Sequence, residues 1–181
     1  MKLAKATLVA FTLLLTVALI PFTIAAAIRL RTSIDVGLAE HRMIAAHGAG
    51  IAEQYEGYDE LAIAEVLAED VKKHISYDYT LTKPWTHNLK IKVSFGSTSY
   101  KTYEENGYGI CTDFCQVYAC LLQGAGINAE YVDRIKVSET AEHAYVDIHL
   151  QEHTYRIDIT SYCTAEHNNA TTNFTACVKE V

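Results

Sequence analysis

Residues 107–122, with the sequence GYGICTDFCQVYACLL, decide the fold that we predict for this chain. Glycines at positions 107 and 109 leave the backbone free to turn sharply, and glycines at 124 and 126 mark the end of the helix that we predict between them. Between them, apolar side chains recur at the i, i+3, i+4, i+7, i+8 spacing of a helix with one buried face. These side chains are Phe114, Val117, Tyr118, Leu121 and Leu122.

The cysteine at the start of this predicted helix is the first candidate for chemistry. Cys111 falls in the first helical turn, where backbone N–H groups are unpaired and the helix macrodipole is positive. That environment favours the thiolate, which is the nucleophilic form of a cysteine. Taken alone, Cys111 is also explained as one more small buried hydrophobe, the usual role of this residue type.

The charge of the chain argues against nucleic acid as a partner. The 181-residue chain has a net charge of −7, and four basic residues are its only charged side chains before Asp35. The remainder carries 11 basic and 22 acidic side chains, a net charge of −11, and its length of roughly 150 residues suits one domain. A phosphate-backbone binder needs clustered Lys and Arg, which this composition lacks.

The N-terminal segment is predicted to direct the chain to a membrane. Ala6 to Ile28 is an uncharged run of 23 residues, preceded by two lysines. At about 1.5 Å per residue, a helix of this length crosses a bilayer of roughly 30 Å. The alternative is a cleaved signal peptide, with small residues at Ala25-Ala26-Ala27, but the run exceeds the usual hydrophobic region. We therefore expect a membrane-anchored protein with an extracytoplasmic domain, or a secreted one.

The rest of the chain divides into a linker, one domain and a tail. Asp59–Ile75 carries an apolar stripe at helical spacing, which predicts a helix. Leu89–Val93 alternates apolar and basic residues, which predicts a short strand. Ser94–Asn106 is polar and predicted to lie at the surface. We predict an N-terminal segment at 1–31, a helical linker at 32–58 interrupted by Gly48 and Gly50, a domain at 59–162 and a polar C-terminal tail at 163–181.

Strand patterns come after the central helix. Ile127–Val137 and Ala141–Leu150 are interpreted as strands, and Thr154–Thr160 as a strand that returns after a turn. The order of helix followed by antiparallel strands predicts an α+β fold with the central helix packed on the sheet. In Ala141–Leu150 the two faces separate cleanly: His143, Tyr145, Asp147 and His149 on one, and Ala144, Val146, Ile148 and Leu150 toward the core.

Strand parity decides whether His143 and Asp158 can meet. A two-residue loop at Leu150-Gln151 places them directly opposite each other, whereas a loop at Gln151-Glu152 makes them diagonal neighbours on the same face. Both arrangements leave the side chains within reach, and an odd-length loop could break the register. A histidine oriented by a carboxylate and facing a cysteine is a nucleophile–base–orienter arrangement. Without Cys111, the two residues would be ordinary polar residues of a half-exposed sheet.

The other cysteines and histidines indicate no metal site. Cys115 and Cys120 are interpreted as core residues on different faces of the central helix. Cys163 and Cys177 flank the polar C-terminal segment and could pair in an oxidising compartment. The sequence has no Cys-x-x-Cys pair, and His143, His149, His153 and His167 are spread over a strand, a turn and a tail, so scattered surface histidines explain them best.

Several motifs together resemble the transglutaminase-like superfamily. Members of that family carry a Gly-x-Cys helix start, a Leu-Leu pair, a Gly-Ile-x-Ala exit, a His-Ala-Trp segment and an Asp-Pro-Thr segment. The resemblance covers roughly Leu61 to Thr160, with Tyr145 in place of Trp and Ile159 in place of Pro. The matching stretches here are Gly109-Ile110-Cys111, Leu121-Leu122, Gly126-Ile127-Asn128-Ala129, His143-Ala144-Tyr145 and Asp158-Ile159-Thr160.

The resemblance implies a papain-like fold and acyl chemistry on a protein or peptide substrate. Cys111 would attack an amide or thioester-like carbonyl, His143 would hold and deliver the proton, and Asp158 would orient the imidazole. The Cys111 N–H would be one oxyanion donor, with Tyr108 and Trp85 as guesses for the second. No cofactor is implied, and the sequence has no Asp-x-Asp-x-Asp-Gly calcium loop. Water as acceptor gives proteolysis or deamidation, and an amine gives cross-linking.

Two alternatives to this function remain open at this point. Cell-wall amidases share a Cys-His pair on a related layout, but their cysteine typically lies in Asp-Cys-Ser-Gly, unlike Ile110-Cys111-Thr112-Asp113. A catalytically inactive, membrane-tethered binding module would keep the fold without turnover. The chain retains the cysteine, histidine and aspartate of the triad, Cys111, His143 and Asp158, which argues against the inactive binding module.

Overall fold

The computed structural model describes residues 20, 24, 39–79, 99–105, 107–138, 142–166 and 172–181. Apart from two residues, the predicted anchor Ala6–Ile28 lies outside this set, as do the predicted strand Leu89–Val93 and Trp85. Within the described ranges, no helix combines the length and the apolar character needed to cross a membrane. Met1–Ala39 and Glu40–Val181 are two compact units, and the second contains the predicted domain.

The described residues from 39 onward form five helices and six strands. The helices are α1 (residues 39–52), α2 (Glu60–His74), α3 (Ser99–Glu104), α4 (Cys111–Gly124) and α5 (Ile159–Thr164), with short 3-10 turns at Glu53–Tyr55 and Phe174–Cys177. The strands are β1 (Ser76–Tyr77), β2 (Tyr108–Gly109), β3 (Ala129–Lys136), β4 (Glu142–Leu150), β5 (His153–Ile157) and β6 (Val178–Glu180).

The strands form two sheets. Strands β3, β4, β5 and β6 make an antiparallel sheet in that order, and β1 pairs with β2 in parallel. The core face of β4 is the predicted one, because Val146 and Ile148 are fully buried and Ala144 is 1% exposed. The α+β class with a central helix against an antiparallel sheet is therefore confirmed.

The central helix α4 is the middle of the core. It begins at Cys111 and ends at Gly124, as the sequence predicts, and Gly126 follows with a positive φ of 82°. The Tyr118 hydroxyl donates a hydrogen bond of 2.8 Å to the Ala64 carbonyl, so its polar atom is satisfied inside the core and ties α4 to α2. All five side chains of the predicted apolar stripe are fully buried: Phe114, Val117, Tyr118, Leu121 and Leu122.

Helix α1 corrects the prediction that Gly48 and Gly50 interrupt the linker. The helix runs unbroken through both glycines. A Cβ atom on Gly48 would lie 2.1 Å from the Leu121 carbonyl oxygen, and one on Gly124 would lie 1.9 Å from the Ala45 carbonyl oxygen. Gly48 and Gly124 therefore let two helices cross at backbone contact, and this close approach explains the glycines better than a break does.

The C-terminal residues contribute to the sheet and the core, although the sequence predicted a polar tail from 163. Strand β6 pairs with β5, and Phe174 is only 2% exposed. The returning strand also ends at Ile157, earlier than the predicted Thr160. The reason is local: the Asp158 side chain accepts the backbone N–H of Ser161, which starts a helix there.

A second segment predicted to lie at the surface is partly buried. Within Ser94–Asn106, residues Ser99–Glu104 form a helix, and Thr102 and Tyr103 are 7% and 6% exposed. The Tyr103 hydroxyl donates a hydrogen bond to the Asp70 carboxylate of α2. The proposed division of the chain at residues 31, 58 and 162 stays a prediction.

Candidate active site

The start of α4 is held in a tight turn. The Asp113 carboxylate accepts the Ile110 backbone N–H at 2.9 Å, and the Asp113 N–H donates back to the Ile110 carbonyl at 2.9 Å. A Cβ on Gly109 would lie 2.8 Å from the Cβ of Asp113, so only glycine fits before this turn. The Asp78 N–H donates to the Gly109 carbonyl at 2.8 Å and fixes the approach from β1. These bonds fix the position of Cys111, the first residue of the helix.

The hairpin of β4 and β5 brings His143 and Asp158 together. The loop is Gln151-Glu152, since Leu150 pairs with His153, and Gln151 has a φ of 53°. This is the second of the two registers considered from the sequence, in which the two residues are diagonal neighbours. His143 Nε2 lies 2.9 Å from Asp158 Oδ1.

Ser161 holds the Asp158 carboxylate in place. Its backbone N–H donates to Asp158 Oδ1 at 3.0 Å, and its hydroxyl donates to Oδ2 at 2.7 Å. Burial opposes ionisation of Asp158, but hydrogen bonds from His143 and Ser161 outweigh it and keep the Asp158 pKa below its ordinary value. Sequence reasoning missed Ser161, although an Asp followed by a helical segment is a recognisable N-cap signal.

His143 is held in its charged form. Hydrogen bonding to Asp158 is the largest cause and hydrogen bonding to Cys111 the second, and together they raise the His143 pKa to about 10 against the opposing effect of burial. Because Nε2 faces Asp158, Nδ1 is the ring nitrogen left for Cys111. A cysteine beside a histidine that a carboxylate orients is the arrangement of a thiol nucleophile and its proton-transfer partner. The three residues singled out from the sequence are thus neighbours in the structure.

The remaining cysteines differ from Cys111 in their environment. Burial raises the pKa of the Cys120 thiol to about 11 and raises the pKa values of Cys115 and Cys163 as well. Cys163 and Cys177, which could have paired, are free thiols in this structure. Cys111 is the one of the five whose neighbour is a charged histidine.

The other candidate residues have different surroundings. Tyr108 is 71% exposed, while Trp85 and His167 lie outside the described residues. His149 Nδ1 contacts Thr154 Oγ1 at 3.0 Å, and His153 Nδ1 contacts Glu180 Oε1 at 2.5 Å. In the ranges that the structure covers, no group of three or more His, Cys, Asp or Glu side chains could hold a metal ion.

Comparison with known proteins identifies the family of this domain and a solved structure with a similar fold. The sequence profile of the transglutaminase-like superfamily matches residues 49–158. A solved crystal structure described as a TGase superimposes with a TM-score of 0.54 at 20% sequence identity, over 69% of this chain and 32% of that chain. At this identity the likeness concerns the fold alone, and the match spans about a third of the length of that protein. Among curated proteins the sequence has no significant match.

Proposed function

The chain belongs to the transglutaminase-like superfamily, and from that premise we propose that it is a thiol enzyme acting on amide bonds of peptides or proteins. Cys111 is the proposed nucleophile, His143 the proton donor and acceptor, and Asp158 the residue that orients the imidazole. One observation carries the proposal: His143 Nε2 lies 2.9 Å from Asp158 Oδ1, and Cys111 is near enough to His143 to contribute to its raised pKa.

The proposed reaction begins with attack by sulfur on the substrate carbonyl. The thiolate of Cys111 adds to the carbonyl carbon, and the resulting oxyanion accepts the backbone N–H of Cys111, whose helical turn has no internal acceptor for it. The tetrahedral intermediate collapses when the C–N bond breaks, and His143 delivers its proton to the leaving amine. The product of this half-reaction is a thioester between Cys111 and the acyl group.

The second half-reaction releases the acyl group. Neutral His143 removes a proton from the acceptor, which attacks the thioester carbonyl and expels the Cys111 thiolate. Water as acceptor yields hydrolysis or deamidation, and a primary amine yields a cross-link. In both halves the Asp158 carboxylate stabilises the imidazolium and keeps Nδ1 facing the sulfur.

Thiol labelling tests the proposal without knowledge of the substrate. The folded protein is treated with iodoacetamide at pH 6, and the labelled cysteines are mapped by mass spectrometry. We expect Cys111 to label first and His143→Ala to slow it, because the imidazolium no longer stabilises the thiolate. Cys115 and Cys120 serve as internal controls and should label only after unfolding, since burial raises their pKa values.

Two outcomes would count against catalysis. If Cys111 labels no faster at pH 6 than a free thiol such as glutathione, the Cys111–His143 pair is not active and an inert binding module explains the fold better. If Cys111 labels rapidly but forms no acyl-enzyme with any amide or ester substrate, thiol chemistry other than acyl transfer must be considered.

We also propose that the domain acts outside the cytoplasm, attached to a membrane by residues 6–28. The uncharged run of 23 residues is long enough to cross a bilayer, which supports attachment to a membrane. Membrane fractions washed with alkaline carbonate should retain the full chain and release a variant lacking residues 1–31. Full-length protein in the carbonate wash would contradict the anchor, and a shortened N-terminus in soluble protein would indicate a cleaved signal peptide.

A further inference from the structure

A row of polar side chains continues along the outward face of β4 beyond His143. Residues 143, 145 and 147 alternate with the buried residues Ala144 and Val146, so their side chains share one face. Neither Tyr145 nor Asp147 has a part in the reaction proposed above. Their contacts nevertheless lead step by step to the imidazole.

The row begins with a partly buried ion pair. Asp147 is 8% exposed, and its register partner on β5 is Arg156. The Arg156 guanidinium donates two hydrogen bonds to the Asp147 carboxylate, from Nε at 2.8 Å and from Nη2 at 2.7 Å. A bidentate pair of this kind fixes both the place and the plane of the guanidinium.

The fixed guanidinium in turn holds an aromatic ring. The Arg156 Cζ atom lies 5.7 Å from the centre of the Tyr145 ring, within the range of a cation–π contact. The other neighbour of Tyr145 is the imidazole of His143, at 4.9 Å between ring centres and an interplanar angle of 82°. The tyrosine ring therefore lies between the guanidinium and the imidazole, in an edge-to-face contact with the latter.

The imidazole is restrained by its hydrogen bond to Asp158 and by the ring packed against it. The χ2 torsion of histidine has a broad energy profile, and the one hydrogen bond at Nε2, which a half-turn of the ring would break, favours the orientation observed here. Rotation about χ2 exchanges Nδ1 with a carbon atom at the position that faces Cys111. A ring packed against the imidazole face or edge restricts that rotation.

We propose that Tyr145, held in place by the Asp147–Arg156 pair, is a positioning residue that keeps Nδ1 of His143 turned toward Cys111. This inference rests on the proposed function, since it assigns a role within the same site. The ring is the part of Tyr145 that acts, so phenylalanine at this position should serve nearly as well. Removal of the ring should lower the population of the productive imidazole orientation, in which Nε2 faces Asp158 and Nδ1 faces Cys111.

The test is the pH profile of Cys111 alkylation in matched variants. We expect Tyr145→Ala to slow iodoacetamide labelling of Cys111 at pH 6 by roughly two- to tenfold, the range set by a single aromatic contact. Tyr145→Phe should restore most of the wild-type rate. Arg156→Lys, which keeps the charge and loses the bidentate geometry, should slow labelling less than Tyr145→Ala.

A purely structural role predicts a different pattern. If the ring served only for stability, Tyr145→Ala would have a lower melting temperature, but its rate of Cys111 alkylation would depend on pH as in the wild type. That result would overturn the proposal. Equal slowing by Tyr145→Phe and Tyr145→Ala would also overturn it, because the hydroxyl would then be the acting group. If Tyr145→Ala fails to fold, Tyr145→Leu keeps the apolar volume without the ring and is expected to label slowly.

The same experiment separates this inference from the proposed function. Rapid wild-type labelling at pH 6 with an unchanged rate in folded Tyr145→Ala or Tyr145→Leu refutes only the role of Tyr145. Wild-type labelling at the rate of an ordinary thiol refutes the Cys111–His143 pair, and the positioning role with it.

Discussion

Replacing Asp158 by asparagine tests the charge of this carboxylate separately from its shape. Asparagine keeps an oxygen that can cap α5 at the Ser161 N–H, because Asn and Asp are comparable N-caps. It removes the negative charge that faces His143 Nε2 at 2.9 Å. The substitution should therefore preserve the fold and weaken the stabilisation of the imidazolium.

The size of the effect follows from the His143 pKa. That pKa is raised from its ordinary value of 6.5 to about 10, with Asp158 as the largest cause and Cys111 the second. A hydrogen bond to a charged partner contributes roughly 2 to 3 kcal/mol, which we take for the Asp158–His143 pair. We expect the His143 pKa in Asp158→Asn to fall by about two units.

The sign of the linkage sets the pH at which stability changes. Because the folded pKa of His143 lies above its unfolded value, its contribution is fully present below about pH 6.5 and is lost as the pH rises through about 10. The wild-type protein should then exceed Asp158→Asn in unfolding free energy by roughly 2 to 3 kcal/mol at pH 6. The difference should approach zero above pH 10.

Urea unfolding at pH 6 and at pH 10.5 measures this difference, and an NMR titration of the His143 ring measures the pKa directly. A stability difference of the same size at both pH values would refute the reasoning, since it would arise from packing or capping and not from the ion pair. An unchanged His143 pKa in folded Asp158→Asn would refute it as well.

Other substitutions test the support of the site and the packing of α1. Ser161→Ala removes the hydroxyl that donates to Asp158 Oδ2 at 2.7 Å, so stability should fall by about 1 kcal/mol. Loss of this hydrogen bond should also raise the Asp158 pKa, so that Asp158 loses its charge, and its effect on His143, at a higher pH. The acidic side of the pH–rate profile for Cys111 labelling should therefore shift to higher pH in Ser161→Ala. An unshifted profile would contradict this prediction. Gly48→Ala should destabilise by roughly 3 kcal/mol or more in urea unfolding, because its Cβ would lie 2.1 Å from the Leu121 carbonyl oxygen. Gly50→Ala in the same helix is the matched control, because nothing lies within 4 Å of an added Cβ there, and it should raise the unfolding free energy by about 0.5 to 1 kcal/mol. Equal losses of unfolding free energy in both variants would show that backbone contact is not the cause.

The features predicted correctly are those that depend on neighbours in the sequence. The period of apolar residues in α4 fixed its bounds, its buried face and the place of Cys111 at its start. The alternation in β4 identified the face that carries His143, and the short loop limited its register with Asp158 to two arrangements. Helical period, strand parity and loop length are local properties, so one sequence is enough to recognise them.

The features that the sequence left undecided depend on contacts between distant residues. Gly48 indicates a helix break when only its neighbours are considered, and it becomes a crossing point only when Leu121 lies against it. The C-terminal residues are sparsely apolar, and their place in the sheet depends on the free edge of β5. Tyr145 comes beside Arg156 only because β4 pairs with β5.

The sequence alone therefore determined which residue types can perform the chemistry and the elements that carry them. Only the tertiary structure decided which of two registers joins His143 to Asp158 and which side chains lie against the pair. The physical reason is that local periodicity sets the direction of a side chain relative to its own element. Its partners are chosen by the packing of whole elements, in which the burial of apolar surface and the satisfaction of buried polar groups are optimised together across the chain.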